Sequence, residues 1–263
     1  MIKCIKELKY SSICSIKVID YAILSNKKNA EKLVAVGGLK YLFPMLLGRG
    51  MPKIIVNGKK KSRDPLEIQD LNEDILSIIS QLCLLLHNST ENDSSARLLS
   101  KFVENDFEKI DHCVDLFIRY SNQLKATEYQ LESIQIAALR AQMNDGGFVE
   151  EDEEDKYEAL QYRYSKRLEG GLLPLQQISV MLIFSIIYVG KNISDRIDDR
   201  LKLDKLNLGD LQNILRECAS VLIEKAKSPS NEDKSSVSSD GFATGFHQLL
   251  IEWSATLNKI KSL

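Results

Sequence analysis

His87, His112 and His247 are the side chains best suited to ligate a metal or shuttle a proton, and their spacing brings none of them together. They fall on three separate predicted helices. His112 and Cys113 are adjacent, so on a helix their side chains diverge and would chelate poorly. Cys4, Cys14, Cys83, Cys113 and Cys218 are scattered without C-x-x-C spacing, which reads as reduced thiols of the cytosol or nucleus. Cys14, Cys83 and Cys218 sit among apolar residues of predicted helices, where a buried thiol is expected. Gly50, Gly58 and Lys59 lack the spacing of a phosphate loop, and Asn57-Gly58 reads as a turn. No G-x-S-x-G occurs, and acid pairs such as Asp198-Asp199 read as solvated surface. The sequence therefore offers no catalytic residue, no cofactor site and no metal site, although a triad assembled from distant residues would be invisible at this level.

The composition describes an ordinary globular chain. Its 263 residues are 44% hydrophobic and 27% charged, enough for a sizeable core. Lysines and arginines number 35 against 37 acids, a net charge of -2, so direct nucleic-acid binding is disfavoured and a charged partner must be met by a local patch. Lys3, Lys6, Glu7 and Lys9 interrupt the first residues, which argues against a secretory signal. Leu172 to Val189 has the length of a membrane span. Gln176, Gln177, Ser179 and Ser185 within it would be costly in lipid, so it is expected to be a buried helix and no membrane partner is expected.

Hydrophobic periodicity predicts helices almost throughout. Ser11 to Leu24 is apolar over a wide arc and should be sandwiched between neighbours. Asn29 to Val36 stops at Gly37-Gly38, and Leu39 to Leu47 follows. Asp70 to His87, Ser94 to Glu104, Asp106 to about Ala126, Tyr129 to Met143, Tyr157 to Leu168, Leu172 to Val189 and Phe242 to Ile260 complete the long stretches. Asn105 with Glu108, Asn192 with Asp195 and Asn207 with Asp210 look like helix starts. The only strand signal is Lys53 to Asn57, too short for a sheet. Helix groups of similar design, at irregular periods of roughly forty to sixty residues, predict an all-α, right-handed armadillo/HEAT-like solenoid with charged insertions.

These insertions and one polar strip are the candidate interaction sites. Gly48 to Arg63 carries Lys59, Lys60, Lys61 and Arg63 and no acid, which suits a localisation signal, RNA phosphates or a plain solvated insertion. Asp145 to Glu158 holds Glu150, Glu151, Asp152, Glu153, Glu154 and Asp155, a run that would attract basic peptides or simply be solvated. Glu73, Ser77, Gln81 and Asn88 form a polar strip that would line a concave face or be one helix's wet side. Residues 228–241 read as a polar linker between helical repeats over 1–227 and a capping helix over 242–263.

The wording of several blocks is more specific than their periodicity. LLxKFxENDxEKxD (Leu98 to Asp111), KVIDYAI (Lys17 to Ile23), GGLKYLFPML (Gly37 to Leu46), MPKI (Met51 to Ile54) and YRYSKRLEGGLLPLQQI (Tyr162 to Ile178) resemble, in the same order, segments of the nuclear, spliceosome-associated beta-catenin-like family of divergent armadillo proteins. Beyond about residue 192 only helical character matches. The resemblance implies the C-terminal half of a longer solenoid, and with it a nuclear, non-catalytic scaffold binding basic, localisation-signal-like segments of splicing factors. An end face cut through such a stack, at Ser11 to Leu24, would invite a cap or self-association. Import-receptor recognition by tryptophan and asparagine ladders is disfavoured, since Trp253 stands alone on an apolar stripe. The alternatives left open are a helical enzyme or enzyme-regulatory domain, and an accessory protein touching RNA through the basic insertion.

Overall fold

The computed structural model describes residues 1–7, 10–51, 54–56, 59–61, 65–88, 93–144, 153–227 and 239–261. In chain order the helices are α1 (Ile2–Lys6), α2 (Tyr10–Ile23), α3 (Lys27–Ala35), α4 (Leu39–Leu46), α5 (Pro65–Leu86), α6 (Ser94–Asn144), α7 (Glu153–Glu169), α8 (Leu172–Val189), α9 (Lys191–Leu203), α10 (Leu208–Lys227) and α11 (Ser239–Lys261). Between α4 and α5 lies a small antiparallel ribbon, β1 (Ile54–Val56) and β2 (Lys59–Lys61), with Val56 opposite Lys59. The second strand was not legible because three consecutive lysines carry no apolar alternation.

Stacking follows from the apolar stripes. α2 packs on α5, α5 on α8, and α8 on α10 and α11, while α3 and α4 lie against α5, and α9 against α6 and α8. The buried side chains form one continuous cluster running from Ile5 to Leu257. This is the all-α solenoid the sequence predicts. The Gly37-Gly38 pair makes the sharp turn from α3 to α4: Gly37 takes φ +82°, and a Cβ on Gly38 would fall 2.5 Å from Leu33 Cδ1.

α8 is the hub, and burial explains its membrane-like composition, since 72% of its span is enclosed by other helices. Phe184 stands between Phe102 and Trp253, with ring centroids 6.0 Å away in each case, and Phe102 meets Phe43 edge-on at 5.1 Å. Trp253 is thus core, at 4% exposure, and it fixes α11 to the stack. Ser179 and Ser185 donate to the carbonyls of Leu175 and Met181, which satisfies both hydroxyls inside the helix. Gln176 Nε2 and Gln177 Oε1 are buried without a hydrogen-bond partner among the described residues. Gln176→Leu is therefore expected to stabilise the chain by about 1 kcal/mol in urea unfolding, because it removes a desolvated, unpaired amide group.

Several helix limits depart from the sequence reading. α9 starts at Lys191 after Gly190, so Asn192 lies inside the helix and does not cap it. At α10 the expected reciprocal cap does form: Asn207 Oδ1 accepts from the Gly209 amide, and Asp210 Oδ2 from the Asn207 amide. α11 begins at Ser239, inside the polar stretch assigned to a linker, of which residues 228–238 lie outside the described set. α2 is less enclosed than its composition predicts. α1 covers part of it, with Ile5 buried and Ser12 Oγ donating to the Cys4 carbonyl, but Cys14, Val18, Tyr21 and Leu24 remain exposed.

Candidate protein-interaction site

Inside α6 the backbone leaves helical geometry at Glu104, and Asn105, Asp106 and Phe107 adopt left-handed φ values of 56°, 52° and 63°. Three such non-glycine residues in a row are costly, so the surroundings must hold them. Arg196 of α9 does so from outside: its Nε and Nη2 grip Asp111 at 2.9 and 2.8 Å, Nη2 donates to the Asp106 carbonyl at 3.1 Å, and the guanidinium lies over the Phe107 ring. Arg200 pairs with Asp115, and Arg49 with Glu108, both at 2.5 Å. Lys109, nearly buried, reaches Glu104 at 3.2 Å alongside Lys101. Hydrogen bonds from Lys101 and Lys109 hold the Glu104 carboxyl below the usual range, and Arg49 does the same for Glu108. Asn105 and Glu108 touch side chain to side chain at 3.5 Å, in place of the backbone cap expected from the sequence.

Asp106, Glu108 and Asp111 of the E-N-D-x-E-K-x-D block thus tie α6 to Arg196 of α9 and to Arg49 just beyond α4, while Glu104, Asn105 and Lys109 pair within α6. The partners Arg49, Arg196 and Arg200 were not among the sequence candidates, because each is a lone arginine whose carboxylate lies far away along the chain.

The polar strip of α5 divides. Asn88 is exposed, whereas Glu73, Ser77 and Gln81 are half-buried, and Gln81 Oε1 has no hydrogen-bond partner among the described residues. Ser77 hydrogen-bonds Asp20 of α2, so this part of the strip lies along a helix seam. Next to it, burial pushes Asp74 up to about 6, with Asp20, Asp70 and Glu73 adding like charge and Lys17 opposing. A carboxyl whose folded-state pKa lies above its unfolded value of 3.8 favours the folded chain while it is protonated. That contribution is complete at pH below about 4 and is lost as pH rises through about 6. Asp74→Asn should flatten this part of the stability profile and gain about 1 kcal/mol at pH 7, after discounting for partial solvation. Thermal unfolding across that range checks it.

The acidic run falls in sequence between the end of α6 and the first residues of α7. Glu150, Glu151 and Asp152 fall outside the described residues, and Glu153, Glu154 and Asp155 open α7. The two helices are unusually apolar on their outer surfaces. Tyr129, Ile134, Ile136 and Leu139 of α6, and Tyr157, Leu160 and Tyr162 of α7, are all exposed, Tyr129 by 74% and Leu160 by 66%. Arg167 anchors the base of α7, pairing with Glu128 of α6 at 3.0 Å and with Glu217 of α10. The result is a helical arm with a pinned root. The basic candidates are elsewhere: Lys59, Lys60 and Lys61 form β2, and Arg63 lies outside the described residues.

Other reactive groups are enclosed or dispersed. Burial pushes the Cys113 thiol up to about 12 and that of Cys83 higher than usual, so neither is a nucleophile at neutral pH. Cys14 is exposed, contrary to its apolar setting, because it shares the uncovered face of α2. Burial also lowers the pKa of the His112 imidazole, against a hydrogen bond to the Leu46 carbonyl. Among the described residues no group of three or more His, Cys, Asp or Glu is placed to hold a metal ion.

Against known proteins, residues 1–216 match the family model described as "Catenin-beta-like, Arm-motif containing nuclear". The chain belongs to this beta-catenin-like armadillo family. Beta-catenin-like protein 1 of Mus musculus is 24% identical over 217 residues, covering 82% of this chain and 35% of the mouse protein. Beta-catenin-like protein 1 of Homo sapiens is 25% identical over the same share of each chain. The Schizosaccharomyces pombe homolog is 26% identical over 196 residues, 73% of this chain and 28% of that protein. The chain therefore spans about a third of the length of these relatives. The beta-catenin-like match runs through α9 into α10, further than the residue 192 reached by the resemblance in sequence.

Proposed function

We propose that this chain is a nuclear, non-catalytic interaction scaffold of the pre-mRNA splicing machinery, and that basic, localisation-signal-like segments of splicing factors dock on it. The observation that carries the reading is the family match over residues 1–216, whose description is of an Arm-motif nuclear protein. The splicing assignment rests on the resemblance of the E-N-D-x-E-K and Y-R-Y-S-K-R-L-E blocks. For the docking surface, the arm formed by α6 and α7 is favoured, because it combines exposed aromatic and aliphatic side chains with the acidic run Glu150 to Asp155 that falls between the two helices in sequence. The α5 strip contributes less, since Ser77 is engaged with Asp20. The uncovered α2 face, Val18, Tyr21 and Leu24, is the surface for a further helical layer or for self-association. Immunoprecipitation of the tagged chain from nuclear extract, read by spliceosomal small nuclear RNAs and splicing-factor proteins, tests the assignment. Enrichment of both over an untagged control supports it, and recovery of neither refutes it.

A further inference from the structure

Where the basic insertion leaves and rejoins the helical body, the surface opens into a cleft of about 340 Å³. Leu46, Leu47 and Met51 line one side, Ile68, Asn72 and Leu76 of α5 another, and His112, Leu116, Arg119 and Tyr120 of α6 the third. Its floor is apolar: Leu46, Leu76 and Tyr120 are buried, while Met51 and Leu116 are half-exposed and Ile68 is 40% exposed. The volume lies at the small end of ligand pockets, about 300 to 1,000 Å³, so it suits one or two large side chains better than a nucleotide cofactor. Arg119 stands at the rim, its guanidinium 4.8 Å from the Tyr120 ring centre and in no ion pair among the described residues. Met51 and Ile68, which both line the cleft, bracket in sequence the ribbon bearing Lys59, Lys60 and Lys61. No acidic residue occurs over residues 48–63.

The geometry points to a second docking site here, for a linear peptide segment that inserts one aromatic or aliphatic side chain between Ile68, Leu76 and Leu116 and sets flanking carboxylates against Arg119 and the lysine ribbon. The site goes beyond the basic-segment reading, since it recognises the opposite sign of charge on a different part of the molecule. The apolar floor selects a peptide over RNA, because phosphates would engage the cations and gain nothing from the cleft. The chain's own Phe148-Val149, followed by Glu150 to Asp155, has the same chemistry. At about 1.5 Å of rise per residue, α6 carries Asn144 about 36 Å from Tyr120, so a second copy is the alternative source of that segment and an outcome of the test.

The test uses fluorescence anisotropy of the whole chain with a fluorescein-labelled peptide of one phenylalanine flanked by aspartates and glutamates. Binding is expected, with about tenfold loss on replacing that phenylalanine by alanine, and a similar loss in the protein variants Ile68→Glu and Arg119→Ala. Both protein positions are exposed, and circular dichroism confirms that the variants are folded. A Lys59→Gln, Lys60→Gln, Lys61→Gln variant should weaken binding and flatten its salt dependence. The proposal is overturned if the alanine peptide binds equally well, if Ile68→Glu and Arg119→Ala leave affinity unchanged, or if a uridine oligonucleotide binds the lysines in preference to the peptide. It is also overturned if sedimentation shows a dimer that the peptide dissociates, which would make a second copy the occupant.

Discussion

Phe184→Ala should lower the unfolding free energy by about 3 to 5 kcal/mol, the range for emptying a fully enclosed aromatic site. Phe184 has no exposed surface and touches the rings of Phe102, Tyr188 and Trp253, with Tyr188 at 4.8 Å between centroids. Those neighbours come from α6, α8 and α11, all rigid helices, so the cavity cannot collapse without separating layers of the stack. For a chain with typical stability of about 5 to 15 kcal/mol, this is a large share. The midpoint of guanidinium unfolding measures it, with Leu203→Ala as comparison: Leu203 is 84% exposed, and its change should stay within about 0.5 kcal/mol. A Phe184→Ala midpoint as high as that of Leu203→Ala would mean that α8 is not the hub.

Neutralising the acidic run Glu150 to Asp155 should abolish most basic-peptide binding while leaving the fold intact. The variant replaces Glu150, Glu151, Asp152, Glu153, Glu154 and Asp155 by glutamine and asparagine, which keeps side-chain size and removes only charge. A solvent-exposed ion pair contributes a few tenths of a kcal/mol, so six such pairs with peptide lysines and arginines would contribute about 2 kcal/mol together. That corresponds to an affinity loss of about thirtyfold. The residual binding of the variant should depend little on salt, whereas that of the unaltered chain should fall steeply as ionic strength rises. Peptide titrations at low and physiological salt read both effects. Equal affinities for the two proteins would move the docking site off the arm.

Helices are the best-read part of this chain because their apolar stripes are local patterns. α2, α4 and α8 match their predicted limits to within a residue, and Trp253 lies in the core as its stripe implies. What the sequence conceals is non-local. The break at 104–107 shows as a punctuation mark between two stripes, but its left-handed backbone depends on Arg196, about ninety residues away. β2 is invisible because a lysine triplet has no periodicity. The polar strip on α5 looks continuous by helical spacing, yet α2 covers Ser77, and only packing reveals which side of a helix is covered. The same limit applies to the Met51, Ile68 and Leu116 cleft, whose walls come from three separate elements. The E-N-D-x-E-K block is therefore informative about ancestry and architecture.

Calorimetric titration of the chain with a lysine- and arginine-rich localisation-signal peptide at low salt measures whether this solenoid binds basic, localisation-signal-like segments. Saturable binding that weakens with added salt and disappears when the peptide's basic residues become alanine is the predicted result. No saturable binding at low salt, or equal binding of the alanine peptide, would contradict it.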